Sequence, residues 1–511
     1  MTTEQIIILA TIAVYLMGVL IIGIICSKQS NTVGDFYLGG RKLGPFVTAM
    51  SAEASDMSSW LLMGLPGVAY LTGVADAAWT AIGLAIGTYL NWLIVAKRIR
   101  RYTEIAGNSI TIPEFFSKRY RDDKNILMLL GAVIIVIFFI PYTASGFAAC
   151  GKLFRSLFGI DYFTAMVISA IVIVGYTTLG GFLAASTSDF IQSIIMSIAL
   201  IVVLVFGTVS AGGVNEVIDN AQTLKGYLSF TNIHNVADNT SSPYGLLKIC
   251  SMLAWGLGYF GVPHVLLRFM AIEDEKKLRL SRRVATVWVV ISLSVAVFIG
   301  IIGNAMSANG AIVTLEGNNS ETLIVVIADA LSKKSFFLFA IIAGVILAGI
   351  LASTMSTADS QLLAASSSIS ENIFSGFFKM KLSKNMQMIV ARGSVIIISI
   401  IAVFLARDPN SSVFNIVSFA WAGFGAAFGP VILLALFWKR SNKWGALAGM
   451  VSGGAMVFIW KYVISGFGGV FAIYELLPAF IIALVVNVIV SLLTKAPSQE
   501  IMDEFDKVNE W

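Results

Sequence analysis

The stretch Ser51-Ala-Glu-Ala-Ser-Asp-Met-Ser-Ser-Trp60, running on into Leu61-Leu-Met-Gly-Leu-Pro-Gly67, decides the fold. It lies in an apolar segment long enough to cross a bilayer, yet it carries two carboxylates, Glu53 and Asp56, four serines and a Gly-Leu-Pro-Gly break. Charged side chains at membrane depth are expensive and mark cavities or pathways. Helix breakers there release carbonyls that need a partner other than lipid. A cation is one such partner, so the stretch reads as a broken membrane helix that helps to hold an ion.

The surrounding composition agrees. Of 511 residues, 57% are hydrophobic and 12% charged, against roughly 25% charged in soluble domains. The chain is therefore an integral membrane protein for most of its length. Cys26, Cys150 and Cys250 are scattered along apolar segments, without the spacing of a disulfide framework or a metal site,. Two histidines, His234 and His264, exclude a histidine-rich metal centre. Ile6–Cys26 is longer than a signal-peptide core and no basic residue precedes it, so it is expected to be the first spanning helix,.

Apolar stretches of about twenty residues are expected near 6–27, 45–73, 75–96, 125–151, 162–184, 189–211, 243–270, 284–306, 322–358, 388–406, 413–438, 444–465 and 473–494. These are thirteen spans, the ninth with a short outer helix ahead of the true crossing. With the N-terminus outside and the C-terminus inside, the inner loops hold 26 of the 34 basic residues, as the positive-inside rule requires. The basic loop at 97–124 is expected to anchor to lipid headgroups as a short surface helix. The longest outer loop, 212–242, shows no soluble domain.

Interrupted spans at corresponding positions of two halves point to the binding site of a transporter. The seventh span, with Trp255-Gly-Leu-Gly-Tyr-Phe-Gly-Val-Pro-His264, is the second interrupted one, five spans after the first. The two breaks predict inverted repeats, an odd number of crossings turning the second copy over. The expected division is 1–44 (first helix and inner loop), 45–211 (spans two to six), 212–242 (outer loop), 243–438 (spans seven to eleven) and 439–511 (two peripheral helices and tail).

In the ninth span, Ser353, Ser356 and Thr357 share one helical face. Hard cations take oxygen ligands, and Ala54 and Met57 of the broken second span are placed to add carbonyls. The same hydroxyls have another reading, bonding the carbonyl three or four residues back. Trp255, Tyr259 and Pro263 line one face of the seventh span, either as walls of a pocket for a small, partly apolar solute or as an aromatic stripe against a neighbour. Tyr142, beside Pro141, is equally two-sided. Asp56 and Asp189 read either as helix N-caps or as members of an ion path. Arg41, at the inner mouth of the second span, is an orientation charge or a gate partner. Among enzyme motifs, a P-loop, a zinc-type HExxH and a GxSxG elbow are all missing,.

These motifs, with Met355-Ser-Thr357 and Ala420-Trp-Ala-Gly-Phe-Gly-Ala-Ala-Phe-Gly-Pro430, resemble the sodium/solute symporter family from Tyr37 to Ser498. The resemblance implies an all-α membrane protein with a LeuT-type core of two inverted five-helix repeats, a multi-pass protein of the bacterial plasma membrane and not an enzyme. It implies sodium-coupled import of L-proline, or alternatively of another small organic solute, with Na+ as the coupling ion, lipid as the surroundings and neither nucleic acid nor a protein partner. Carried over, the sodium site falls on Ala54, Met57, Ser353, Ser356 and Thr357. Asp56, Ser58, Tyr142, Trp255, Tyr259 and Pro263 fall at the solute, and Arg41 and Asp189 on the ion pathway. Glu53 and Ser59 depart from the family pattern, which has small residues there. A signalling domain is not expected, because the chain ends about sixteen residues after its last span.

Overall fold

The computed structural model describes residues 2–28, 32–334 and 336–509. Residues 1, 29–31, 335 and 510–511 lie outside the described residues. The architecture is helical, with one small antiparallel hairpin pairing Asn232–Asn235 with Thr240–Pro243. That hairpin and a helix at Val214–Thr223 give the long outer loop more structure than its polar sequence suggested. The loop is also tied down. Its Tyr227 hydroxyl donates to the carbonyls of Ala69 at 2.8 Å and Tyr70 at 2.9 Å, and its carbonyl accepts the Val74 N–H.

Among the described residues, ten helices are long and apolar enough to cross a bilayer, or eleven if the bent pair Leu246–Phe260 and Pro263–Ala271 counts as one crossing. The thirteen expected spans differ from that count at two places. The acidic segment is divided into Pro45–Ser59, a π-turn at Trp60–Gly64 and Leu65–Thr72, each shorter than a crossing. The segments expected at 162–184 and 189–211 form one helical run, Tyr162–Ser210, broken at Gly181.

That run doubles back. Gly180 lies against Gly23, near the end of the first helix Thr3–Ser27. Gln5, at the start of the same helix, donates to the Leu157 carbonyl just before the run begins. Beyond the break, Ala199 touches Gly349, while Gly344 touches Thr11, so the chain has returned towards its starting side. The reversal needs φ +63° and ψ −159° at Gly181, and a Cβ there would lie 2.7 Å from the Phe36 ring.

The ninth segment divides as expected into Leu323–Ser332 and the crossing Phe337–Ser367. That crossing is buried along its polar half and packs against Tyr162–Ser210, Pro45–Ser59 and Ile126–Phe158. The centre of the molecule is thus assembled from the helices that carry unusual polar residues. The next segment, Val74–Leu90, lies so close to the aromatic 3-10 turn Ala254–Phe260 that a Cβ on Gly87 would sit 2.3 Å from the Gly256 carbonyl.

Gly181→Ala is expected to destabilise the folded protein by about 1–3 kcal/mol or more, the cost of a non-glycine residue in this backbone conformation with the Phe36 clash added. The check is the midpoint of thermal unfolding in detergent. An unchanged midpoint would mean that the reversal does not depend on this glycine.

Candidate functional site

The acidic helix stops being a helix at Ser58, whose φ of 49° and ψ of −171° put a non-glycine residue in the left-handed half of conformational space. The break is stabilised locally: the Ser58 hydroxyl accepts the Trp60 N–H at 3.1 Å. It is also stabilised from outside. The Ala54 carbonyl accepts the Ser356 hydroxyl at 2.8 Å and the Thr357 hydroxyl at 3.5 Å. Ser356 and Thr357 also reach the Ser353 carbonyl, at 3.2 and 3.1 Å. Four of the five residues expected around an ion therefore meet: Ala54, Ser353, Ser356 and Thr357. Met57 lies one turn further along, its carbonyl taken by the Trp60 N–H at the break. The donor set is entirely oxygen and uncharged, which suits a hard monovalent cation. The hydroxyl of Ser353 itself bonds the Ile350 carbonyl at 2.8 Å, so this residue offers its carbonyl to the cluster.

Beside the cluster lies a small cavity lined by Asp56, Met57, Trp60, Tyr142, Trp255 and Trp421, with Leu84 and Val417. Its walls are interlocked. Trp60 lies 5.4 Å from Trp255, Tyr259 meets Trp421 edge-on at 5.1 Å, and Trp421 donates its indole N–H to the Trp255 carbonyl. Asp56 turns one carboxylate oxygen to the Tyr259 hydroxyl at 2.5 Å, while the other is buried without a protein partner. Tyr142 donates to the Asp56 carbonyl at 3.2 Å. The cavity is about 10 Å³, the scale of one water molecule, so an amino acid enters only if the aromatic walls separate. Ser58, Tyr259 and Pro263 are not part of this lining: Ser58 sits in the break, Tyr259 lies behind the wall on Asp56 and Trp421, and Pro263 opens the helix that follows the second break. Glu53 faces away from the cavity, towards Val74–Leu90 and the turn after it. Its Oε1 accepts Thr88 at 3.1 Å and Trp92 at 2.7 Å.

The side of the break away from the aromatic cavity holds a network that the sequence did not announce. Asp189 accepts the Ser51 hydroxyl at 2.6 Å and pairs with Arg268 at 3.2 Å. Arg268 also donates to Ser51, to the His264 carbonyl and to Ser360. Ser360 reaches the Ser356 carbonyl at 2.9 Å and Asp359 at 3.0 Å, and the Tyr176 hydroxyl donates to Asp359 at 2.7 Å. Asp189 is therefore no simple helix cap: it is tied through Arg268 and Ser360 to the hydroxyl cluster. Arg41, by contrast, spends its guanidinium on Asn108, Thr103 and the carbonyls of Met270 and Ser109. It clamps the inner loop to the end of the second broken span, and none of those four contacts is a carboxylate.

Two interrupted helices meeting a hydroxyl-bearing third across a buried polar centre define a secondary active transporter of the LeuT type. The chain belongs to the sodium:solute symporter family, whose sequence pattern matches residues 36–453. It is 43% identical to a sodium/proline symporter of Haemophilus influenzae, over 98% of this chain and 97% of that one. It is 43% identical to the high-affinity proline transporter PutP of Bacillus subtilis, over 95% and 98%, and 41% identical to the osmoregulated proline transporter OpuE of the same organism, over 96% of each. The fold matches that of a Na+-coupled sialic acid symporter solved in a substrate-bound outward-open state, with a TM-score of 0.77 at 19% identity over 96% of this chain and 99% of that one. The chain is a multi-pass membrane transporter with sodium as its coupling ion, and not an enzyme.

Arg268→Met would leave Asp189 as a buried carboxylate without its cation, at a cost of about 3–5 kcal/mol. Asp189→Asn in the same background is expected to recover most of that loss. Thermal unfolding of the single and double variants in detergent measures both effects. A double variant no more stable than Arg268→Met would show that the loss does not come from the unpaired Asp189 carboxylate.

Proposed function

We propose that this chain imports L-proline together with sodium across the bacterial plasma membrane, with the inward sodium gradient as the driving force. The observation that carries the reading is the joining of the Ala54 carbonyl to the hydroxyls of Ser356 and Thr357, directly beside a cavity walled by Trp60, Trp255 and Trp421. Full-length similarity to proline transporters supports proline as the solute.

In this reading the Ser356 and Thr357 hydroxyls keep their protons but turn them away from the Ala54 carbonyl, and sodium would be held by oxygens of Ala54, Met57, Ser353, Ser356 and Thr357. It bridges the first half of the broken acidic helix to the hydroxyl-bearing helix and stabilises the outward-facing arrangement. That pre-forms the solute pocket, and because coupling is reciprocal, proline strengthens sodium binding equally. The proline ring packs against Trp255 and Tyr259, near Tyr142, while its carboxylate meets unwound backbone N–H groups after Ser58. Asp56 orients this segment through Tyr259, and Pro263 fixes the start of the helix after the second break. Ser360, Arg268 and Asp189 continue the polar path inward, and Arg41 closes its mouth. Residues 45–211 and 243–438 act as the two inverted halves that rock around this centre.

Radiolabelled proline uptake into proteoliposomes, with and without an inward sodium gradient, tests the coupling; uptake that ignores sodium would reject it. Ser356→Ala and Thr357→Ala are each expected to raise the half-saturating sodium concentration by about tenfold or more, equivalent to about 1.4 kcal/mol. Proline affinity in saturating sodium should change much less, and an equal loss of both would count against the ligand assignment. Trp255→Ala should chiefly weaken proline binding, read by titration in saturating sodium; an unaltered proline affinity would remove Trp255 from the pocket.

A further inference from the structure

A groove runs along the surface where the helix Leu278–Ala308 lies beside the second limb of Tyr162–Ser210. Trp288 donates its indole N–H to the Ser197 hydroxyl at 2.9 Å, which fixes the ring as one wall. Further along, the two helices close on each other: a Cβ on Gly207 would lie 2.9 Å from Ile302. The floor is formed by Met50, Leu200 and Ser292, all buried, while Ile201, Val287 and Ile291 stand at the rim, 56%, 59% and 57% exposed. Met50 comes from the acidic helix Pro45–Ser59, so the groove reaches in to the first half of the broken span. Its volume is about 560 Å³, within the range of small-molecule sites, about 300–1,000 Å³. The charged residue of the lining is Arg283, exposed in the second turn of its helix and, among the described residues, without an ion-pair or hydrogen-bond partner. Arg279 is exposed one turn earlier, and the neighbouring Arg282 lies over the Tyr89 ring at 5.7 Å. The carboxylates of this region, Glu273, Asp274 and Glu275, precede the helix, and Glu273 is taken by Lys277 at 2.6 Å.

We propose that this groove is a binding site for an anionic phospholipid, with the headgroup phosphate on Arg283 and one acyl chain laid along the groove against Met50. The dimensions fit one leaflet. From Arg283 to Val295, at the far end of the lining, the helix rises about 18 Å, against about 15 Å for half the hydrocarbon core. A guanidinium placed at the headgroup level therefore leaves the apolar part of the groove at acyl-chain depth. Its planar fork of N–H donors matches two phosphate oxygens at once. Arg279 and Arg282 add positive potential around it, which favours a lipid of net negative charge over a zwitterionic one. An arginine that serves only to orient a helix needs no groove beside it; here the apolar trough begins where the charge ends. The chain in the groove rests on Met50, whose neighbour Ser51 bonds Asp189 and Arg268. Lipid thus bears on the half-helix that anchors the buried charge network, independently of which solute is carried.

The test uses the full-length chain in mild detergent, titrated with phosphatidylglycerol or with phosphatidylethanolamine of the same acyl chains and read by native mass spectrometry. The wild type is expected to retain phosphatidylglycerol in preference to phosphatidylethanolamine. R283Q should weaken phosphatidylglycerol binding by about fivefold, the share of one basic residue at a membrane surface. V287W, which fills the trough and leaves the arginine in place, should weaken it by a similar factor. Both positions are exposed, so neither replacement opens the core. Location is read separately, with phosphatidylglycerol carrying a photoreactive diazirine in its acyl chain. Cross-links to peptides containing Met50, Leu200 or Ser292 that disappear in V287W would place the chain in the groove. Equal retention of the two lipids by the wild type, wild-type retention in either variant, or cross-links confined to other helices would overturn the site.

Discussion

A peptide group released from a helix inside a bilayer must find a partner within the protein. The interruption at Ser58 releases several, and the arrangement of the centre follows from where they go. The Ala54 carbonyl goes to Ser356 and Thr357, the Asp56 carbonyl to Tyr142, and the Trp60 N–H to the Ser58 hydroxyl. Each bond recruits a different neighbour, so one broken helix fixes how the hydroxyl-bearing helix and the Tyr142 helix approach it. The aromatic walls then fill the space between the two interruptions. In the proposed transport reading, a cation takes over the same carbonyl oxygens that the hydroxyls now satisfy.

Charge is distributed unevenly along this axis. On one side of the break Asp189 is paired with Arg268, and on the other Glu321 is paired with Lys152. Between them stand Glu53 and Asp56, and among the described residues neither has an ion-pair partner. Each has one carboxylate oxygen buried without a hydrogen bond. The centre therefore holds two carboxyl groups without a cationic partner, set between two buried ion pairs.

Much of this was legible because polar residues at membrane depth stand out. Glu53, Asp56 and the glycines around Tyr259 announced both interruptions, and the spacing of Ser353, Ser356 and Thr357 announced a shared face. The hydroxyls bond back along their own helix, as one sequence reading had it, and Thr357 in addition reaches the Ala54 carbonyl. The Arg268 network was hidden for a physical reason. Arg268 ends a span next to a basic loop and looks like an orientation charge, and Asp359 and Ser360 follow a run of hydroxyls without a period of their own. Four segments must fold together before Arg268 meets Asp189 and Ser51. Lys152 and Glu321, 169 positions apart, were invisible for the same reason. Glu53 departed from the family pattern, and only the structure supplies its partners, Thr88 and Trp92.

The reversal at Gly181 bears on how the chain enters the membrane. Its two passes are joined without a loop, and from 156 to 224 there is no lysine or arginine at all. Basic residues beside a crossing are what ordinarily hold it to the cytoplasmic face. This hairpin carries no such instruction, so its direction is dictated by the charged segments on either flank, and it is threaded into the bilayer as a passenger of its neighbours.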